Sequence, residues 1–260
     1  MTAASPSVTV DLAEGVAVVA LNEPETRNAL TPSLRDALMD ALSELVASAD
    51  CRIIVLTGTG AAFCAGGDLN SLPDHDPLAI RRRLARSHEL LRLIVAGPKP
   101  VIAAVNGAAF GAGLSLAAAC DVVLASPAAR FGAVFGKVGL MGDMGLLWSL
   151  PQRIGTAATR RLLFTSAIID AEAALGLGLV DRCVRDDALL EEARALAGEL
   201  AEAPPVAVAA TKAVLARGPA PLDQILAAEL DHQTLLFSTD DFVEGRAAFK
   251  ERRRARFTGH

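Results

Sequence analysis

The chain has 260 residues, 52% of them hydrophobic, with 21 glycines, 13 prolines and no tyrosine. That length fits one large domain or a domain with an appendage, and the apolar share supplies a sizeable core. The net charge of −5 argues against a nucleic-acid surface, and the basic run Arg252, Arg253, Arg254 and Arg256 reads as a solvated face at the C-terminus.

Residues 8–12 and 16–21 are β-type runs separated by Glu14-Gly15, which predicts a hairpin. The N-terminal MTAASPSVTVDLAEG has neither a basic start nor an apolar run, so no signal peptide is expected. A loop over 24–30 leads to Thr31 as helix cap with Pro32 at the first position. Leu34, Leu38, Leu42 and Leu45 then form one apolar face. RIIVLT, 52–57, is a buried strand followed by the small-residue stretch GTGAAFCAGGDLN. The prolines and aspartates of 72–78 predict a mobile, exposed loop. A helix is expected over about 79–95, with Arg81, Arg82 and Arg83 solvated because adjacent residues do not share a helix face.

The centre of the chain is KPVIAAVNGAAFGAGLSLAAACD, 99–121, with no charge between its ends. It reads as a strand over 101–105, a turn at Asn106-Gly107, a glycine-punctuated loop and a helix opening near Ala112. Such a helix start presents free backbone N–H groups and a positive dipole end, a site for an oxyanion or a phosphate. A strand at 121–125 and a glycine-rich region at 131–142 follow, and Asp143 is expected to begin the next helix. Beyond Thr156 the pattern is helical except for a short strand at 180–184.

The four cysteines, Cys51, Cys64, Cys120 and Cys183, lie far apart and are expected as buried free thiols of a reducing, cytoplasmic compartment. His75, His88, His232 and His260 have no ligand spacing, so no metal site is expected. No membrane segment is expected, because the apolar central stretch is interrupted by Pro100, Asn106 and glycines.

Two stretches share one construction. RIIVLT leads to Ala65-Gly66-Gly67-Asp68-Leu69, and VIAAV leads to Gly111-Ala112-Gly113. Set side by side in parallel, the two strands bring these loops to the same sheet end, where α/β ligands bind. Converging N–H groups there can hold a carbonyl oxygen that becomes an enolate, at about 3 kcal/mol per donor.

These residues resemble the crotonase (enoyl-CoA hydratase/isomerase) superfamily, through IVLTGTGAAFCAGGDLN, KPVIAAVNGAAFGAGLSLAAACDVVLAS, FGAVFGKVGLMGDMGLLWSLPQRIG and FVEGRAAFKERRRARF. The resemblance implies a crotonase-like α/β spiral of ββα units over 1–200, with a helical region over 201–260 for oligomerisation and active-site cover. It implies an acyl-CoA thioester as substrate, no separate cofactor, and a homotrimer or a hexamer of two trimers. The implied oxyanion donors are the N–H groups of Ala65 and Ala112. The implied coenzyme A contacts are Arg27, Ala29, Ala65, Asp68, Leu69 and Lys250, the lysine in some members serving a neighbouring subunit.

The departures from the family pattern bear on the reaction. Its hydratases use two glutamates, and the matching positions here hold Ser115 and Phe135, neither of which can take a proton near neutral pH. Asp143 lies where isomerases of the family, including the epoxyphenylacetyl-CoA type, place an acid/base and where aryl-CoA dehalogenases place a nucleophile. By residue chemistry alone Asp143 reads as a helix cap. With the resemblance added, it is the expected acid/base of a double-bond isomerase, its pKa raised by Phe135 and Trp148. Hydration and a silent acyl-CoA-binding role are the alternatives, and His88 is a weaker candidate for the site.

Overall fold

The computed structural model describes residues 5–71 and 76–260, so the loop expected at 72–78 lies largely outside the described residues. The chain opens with the expected hairpin, β1 (Val8–Ala13) antiparallel to β2 (Val16–Leu21). Glu14 and Gly15 turn it with φ of 51° and 80°. Two positive-φ residues make the tight turn whose twist matches the strands it joins. Thr31 then accepts the Leu34 N–H at 3.1 Å, and Pro32 starts α1 (Pro32–Ala47). Leu34, Leu38, Leu42 and Leu45 are all buried on its inner face.

From there one unit repeats: a strand in a long sheet, a three-residue strand in a second sheet, then a helix. The first is β3 (Ile53–Gly58), β4 (Ala62–Cys64) and α2 (Pro77–Val95). The second is β5 (Val101–Val105), β6 (Ala108–Phe110) and α3 (Ala112–Ala119). The third is β7 (Val122–Ala125), β8 (Arg130–Gly132) and α4 (Leu146–Thr165). β9 (Ile168–Asp170), α5 (Ala171–Leu177) and β10 (Arg182–Cys183) complete the spiral. The long sheet runs β1-β2-β3-β5-β7-β10 and the short one β4-β6-β8-β9, which is the expected spiral of ββα units.

The central strands of the long sheet, β2, β3, β5 and β7, are buried on both faces and correspondingly apolar, while the edge strands β1 and β10 are exposed. Alternation sorts the side chains. Val19, Leu21, Ile54, Leu56, Ala103 and Val105 pack with the α1–α3 side. Val18, Ile53, Val55, Ile102 and Ala104 meet Leu189, Ala193 and Ala197 of α6 (Leu189–Ala201). The short strands escape a reading by pattern because three residues are too few to display a period of two. The expected 180–184 strand contracts to Arg182–Cys183 for the same reason.

The C-terminal part consists of α7 (Pro205–Leu215), α8 (Leu222–Leu236) and α9 (Asp240–Glu251). An ion pair between a buried lysine and a partly exposed aspartate ties it to the core. The Lys212 ammonium, 7% exposed, donates to Asp121 Oδ2 at 2.5 Å and to the Lys99 carbonyl at 2.8 Å. The same carboxylate accepts the Val101 N–H at 2.7 Å, so one group holds both a strand start and α7. Lys212→Met is expected to cost about 2 kcal/mol, below the roughly 3–5 for breaking a fully buried pair, because the Asp121 side chain is 34% exposed. A urea midpoint measures that loss.

Cys51, Cys64 and Cys120 are buried free thiols, and burial pushes Cys64 up to about 11 and Cys120 up to about 12. Cys183 departs from the expectation. It is exposed, because β10 is the last strand of its sheet and pairs only with β7. Among the described residues no helix is long and apolar enough to cross a membrane.

Candidate active site

β3 and β5 are parallel neighbours, with Leu56 opposite Ala103, and β4 and β6 pair in parallel as well. The loops after them therefore leave the same end of the sheets. What draws the loops together is glycine at two positions. Gly111 enters α3 with φ 50° and ψ −116°, a conformation that favours glycine. Gly113 lies so close to β4 that a Cβ on it would stand 2.1 Å from the Cys64 carbonyl oxygen. A Cβ on Gly66 would stand 3.9 Å from the Ala112 nitrogen, so the two loops touch.

Buried or half-buried amides need acceptors, and following them locates the open donors. The Gly111 N–H goes to the Gly132 carbonyl at 2.9 Å. Ala112 is the first residue of α3, where an N–H has no carbonyl within the helix to reach.

Ala65 does not fit its expected role as a donor. Its N–H is already bonded to the Arg27 carbonyl at 3.0 Å. An open amide on this loop lies two residues further on. A parallel bridge joins Leu30 to Gly67 through the Leu30 N–H and the Gly66 carbonyl, 2.7 Å apart. That pattern turns the Gly67 N–H away from the bridge partner. Gly67 is exposed, with nothing within 4 Å of where a Cβ would be. Counting along the sequence misses it because Gly66, at φ 111°, breaks the alternation of amide directions between Ala65 and Gly67.

The loop that occupies Ala65 is itself fastened by Asn28, which is fully buried. The Asn28 amide donates to the Thr59 carbonyl at 3.0 Å and the Ala62 carbonyl at 2.8 Å, and it accepts the Glu23 N–H at 2.9 Å. Asn28→Ala is expected to cost about 2–3 kcal/mol, since it strips partners from buried backbone groups. A guanidinium melt checks this, and a loss below half that value would contradict the role.

The Leu30–Gly67 bridge sets Ala29 beside the Asp68 loop. Arg27, on the same segment, is exposed, Ala29 and Asp68 are half-buried, and Leu69 is 52% exposed in a 3-10 turn. These four form one rim. No contact among the described residues links Lys250 to this rim. The lysine is exposed on the last turn of α9, and the tail after α9 is held at the far end of the sheet, where Arg52, just before β3, donates to the Phe257 carbonyl at 2.5 Å.

Asp143 also departs from its expected place, since it does not start a helix. α4 begins at Leu146 after Gly145, and its first turn has no side-chain cap bond. Asp143 sits upstream, in a loop held by its own carbonyl, which accepts the Ser115 hydroxyl and the Leu146 N–H, each at 3.0 Å. Its carboxylate plays no part in capping, and Oδ1 is buried with no hydrogen-bond partner among the described residues. Burial pushes the Asp143 carboxyl above the ordinary carboxylate range, while the charges of His88 and Arg83 on α2 pull it back. Phe135, 8% exposed, packs beside the turn into α3, its Cζ 3.8 Å from where a Gly111 Cβ would be. Trp148 turns elsewhere. It lines a cleft of about 810 Å³ with Lys212 and Gln152, and its Nε1 is 3.0 Å from a Cβ built on Gly218.

Arg83 is the residue that reading the sequence misses. Arg81 and Arg82 are exposed as expected, but each helix residue turns the next by about 100°, and the third arginine faces inward. Among the described residues no group of three His, Cys, Asp or Glu is placed to hold a metal ion. The arrangement combines two open amides, an apolar wall and one half-buried carboxylate.

A model of the enoyl-CoA hydratase/isomerase family matches residues 11–260. A probable enoyl-CoA hydratase of Rhodobacter capsulatus is 41% identical, with 97% of this chain and 98% of the relative covered. The 1,2-epoxyphenylacetyl-CoA isomerase of Escherichia coli is 36% identical over 95% of this chain and 96% of its own. The crystal structure of an enoyl-CoA hydratase from Bacillus anthracis superposes with a TM-score of 0.92 at 31% identity, covering 98% of this chain and all of that one. On fold and sequence alike, the chain belongs to the enoyl-CoA hydratase/isomerase family, the crotonase superfamily.

Proposed function

We propose that the protein is an acyl-CoA enzyme that moves a double bond from the β,γ to the α,β position of an enoyl-CoA. The observation that carries this reading is the buried, unpartnered Oδ1 of Asp143, with Ser115 and Phe135 at the two positions that would otherwise bear acids. One carboxylate suffices for the reaction. Asp143 removes a proton from the carbon next to the thioester carbonyl and returns it at the γ carbon. The N–H groups of Gly67 and Ala112 hold the thioester oxygen while it carries the negative charge of the dienolate. Phe135 keeps water from the reacting carbons, which suits isomerisation better than addition of water.

The coenzyme A portion lies along the rim of Arg27, Ala29, Asp68 and Leu69, with Lys250 supplied by a neighbouring subunit of a trimer or of paired trimers in the cytoplasm. The N–H of Ala65 is not needed, since Arg27 holds it. A second reading, hydration, is favoured by His88, an exposed residue of α2 that acts on Asp143 and is a second polar group able to orient a water.

Incubation with a β,γ-enoyl-CoA and, separately, with an α,β-enoyl-CoA distinguishes these readings. Double-bond migration supports isomerisation, and 3-hydroxyacyl-CoA supports hydration. Binding without turnover of either leaves a silent member of the family, and halide release from a haloaryl-CoA assigns Asp143 as a nucleophile instead.

A further inference from the structure

Arg83 is an inward-turned charge of this region that the proposed chemistry does not use. Its guanidinium donates to the Ser71 carbonyl at 3.0 Å, to Ser71 Oγ at 2.7 Å and to the Asp68 carbonyl at 3.3 Å. Its own carbonyl is held by Ser87 Oγ at 3.2 Å and by Arg35, 7% exposed, at 3.4 Å, so the helix turn that aims it is fixed. Asp68 directly follows Gly67, so the fork grips the loop that presents the Gly67 amide. Burial pushes the Arg83 pKa down, with the charge of Asp143 among the influences that hold it up. Arg83 thus grips the amide loop, and its charge, with that of His88, acts on the Asp143 carboxylate.

We propose that Arg83 is a positioning residue of this site: it fixes the loop that presents the Gly67 N–H and keeps the half-buried Asp143 carboxylate ionised and ready to accept a proton. This builds on the role given above to Asp143, but the grip and the charge effect stand whatever the reaction is. Among the described residues, these groups face Asp143. α2 contributes Arg83 and His88, and α3 contributes the Ser115 hydroxyl, bound to the Asp143 carbonyl. The 3-10 turn over Val134–Val138 carries only Lys137, which is exposed, and the first turn of α4 carries no acid. The Asp68 carboxylate bears on Arg83. A nearby cation favours the ionised carboxylate, so removing Arg83 raises the Asp143 pKa.

The test titrates Asp143 directly in the full-length protein labelled with ¹³C at aspartate, its resonance identified as the one missing from Asp143→Asn. In Arg83→Met the titration midpoint is expected to rise by about one pH unit, and in Arg83→Lys to stay within about 0.3 unit of the parent. Lysine keeps the charge but lacks the planar, spread donors with which the guanidinium spans Ser71 and Asp68, so Arg83→Lys is expected to lower kcat/KM about tenfold with its acid limb unmoved. An unchanged midpoint in Arg83→Met, or an equal rise in Arg83→Lys, overturns the proposal. If Arg83→Met does not fold, Arg83→Gln is read the same way. A shifted midpoint in a protein that isomerises nothing removes the isomerase reading alone. An active isomerase with an unmoved midpoint removes only this proposal.

Discussion

Asp143→Asn is expected to lower kcat on a β,γ-enoyl-CoA by about 10³-fold, the scale of a lost general base, and to leave KM within a few-fold. The same substitution is expected to stabilise the fold at neutral and higher pH. Burial holds the Asp143 carboxyl above its ordinary value, so the folded chain keeps this proton more tightly than the unfolded chain does. The contribution to stability is therefore complete below the ordinary carboxylate range and is lost as pH rises through the raised value. Asparagine never ionises, and its gain appears only above that window. Thermal melts at pH 4 and pH 8 read this out: no gain at the lower pH and a higher Tm at the upper, at about 2–4 °C per kcal/mol for a chain of this size. Full turnover together with a lower Tm at pH 8 would make Asp143 a structural residue.

Gly113→Ala is expected to be the most damaging single methyl in the chain's active region. The added Cβ would meet the Cys64 carbonyl oxygen at 2.1 Å, its carbon at 2.9 Å and the Cys64 Cβ at 2.9 Å. Two of those three contacts are main chain of a buried strand and cannot swing aside. α3 has to lift from β4, at a cost of about 3 kcal/mol or more. Because that contact also brings Ala112 beside Gly66, the fraction that folds is expected to have lost most of its turnover. Gly67→Ala is the control for stability, since nothing lies within 4 Å of the new Cβ. It is expected to change the unfolding free energy by less than about 0.5 kcal/mol. Denaturant titrations of both variants test the contrast, and equal losses would mean that close approach at Gly113 does not set the loop geometry.

The long sheet was readable in the sequence because strands buried on both faces are unbroken apolar runs, as in RIIVLT and VIAAV. The α1 cap was equally plain, since Thr31, Pro32 and the leucine spacing all point the same way. The second sheet was not, because its strands span three residues each and gain their stability from neighbours far along the chain. At the site, the turn into α3 could be foreseen from its glycines, and Ala112 with it. The open amide on the other loop is that of Gly67 and not of Ala65, because amide direction there depends on a positive φ at Gly66 and on the Arg27 carbonyl, neither of which leaves a mark in the local pattern.

Asp143 shows the limit from the other direction. An aspartate just ahead of a helix has the residue chemistry of a cap, and only the position of α4's first residue, Leu146, separates the two roles. Arg83 was hidden for a related reason. Three consecutive arginines look like one solvated patch, and which of them turns inward depends on how α2 lies against the Asp68 loop.

The measurement that bears most directly on the paired amides and the lone carboxylate is a crystal structure with a saturated, unreactive acyl-CoA thioester bound. The thioester oxygen is expected at about 3 Å from both the Gly67 and the Ala112 nitrogens, with the Asp143 carboxylate against the carbons beyond the carbonyl. A thioester oxygen held by other groups, or an Asp143 carboxylate turned to bulk water, would contradict this arrangement.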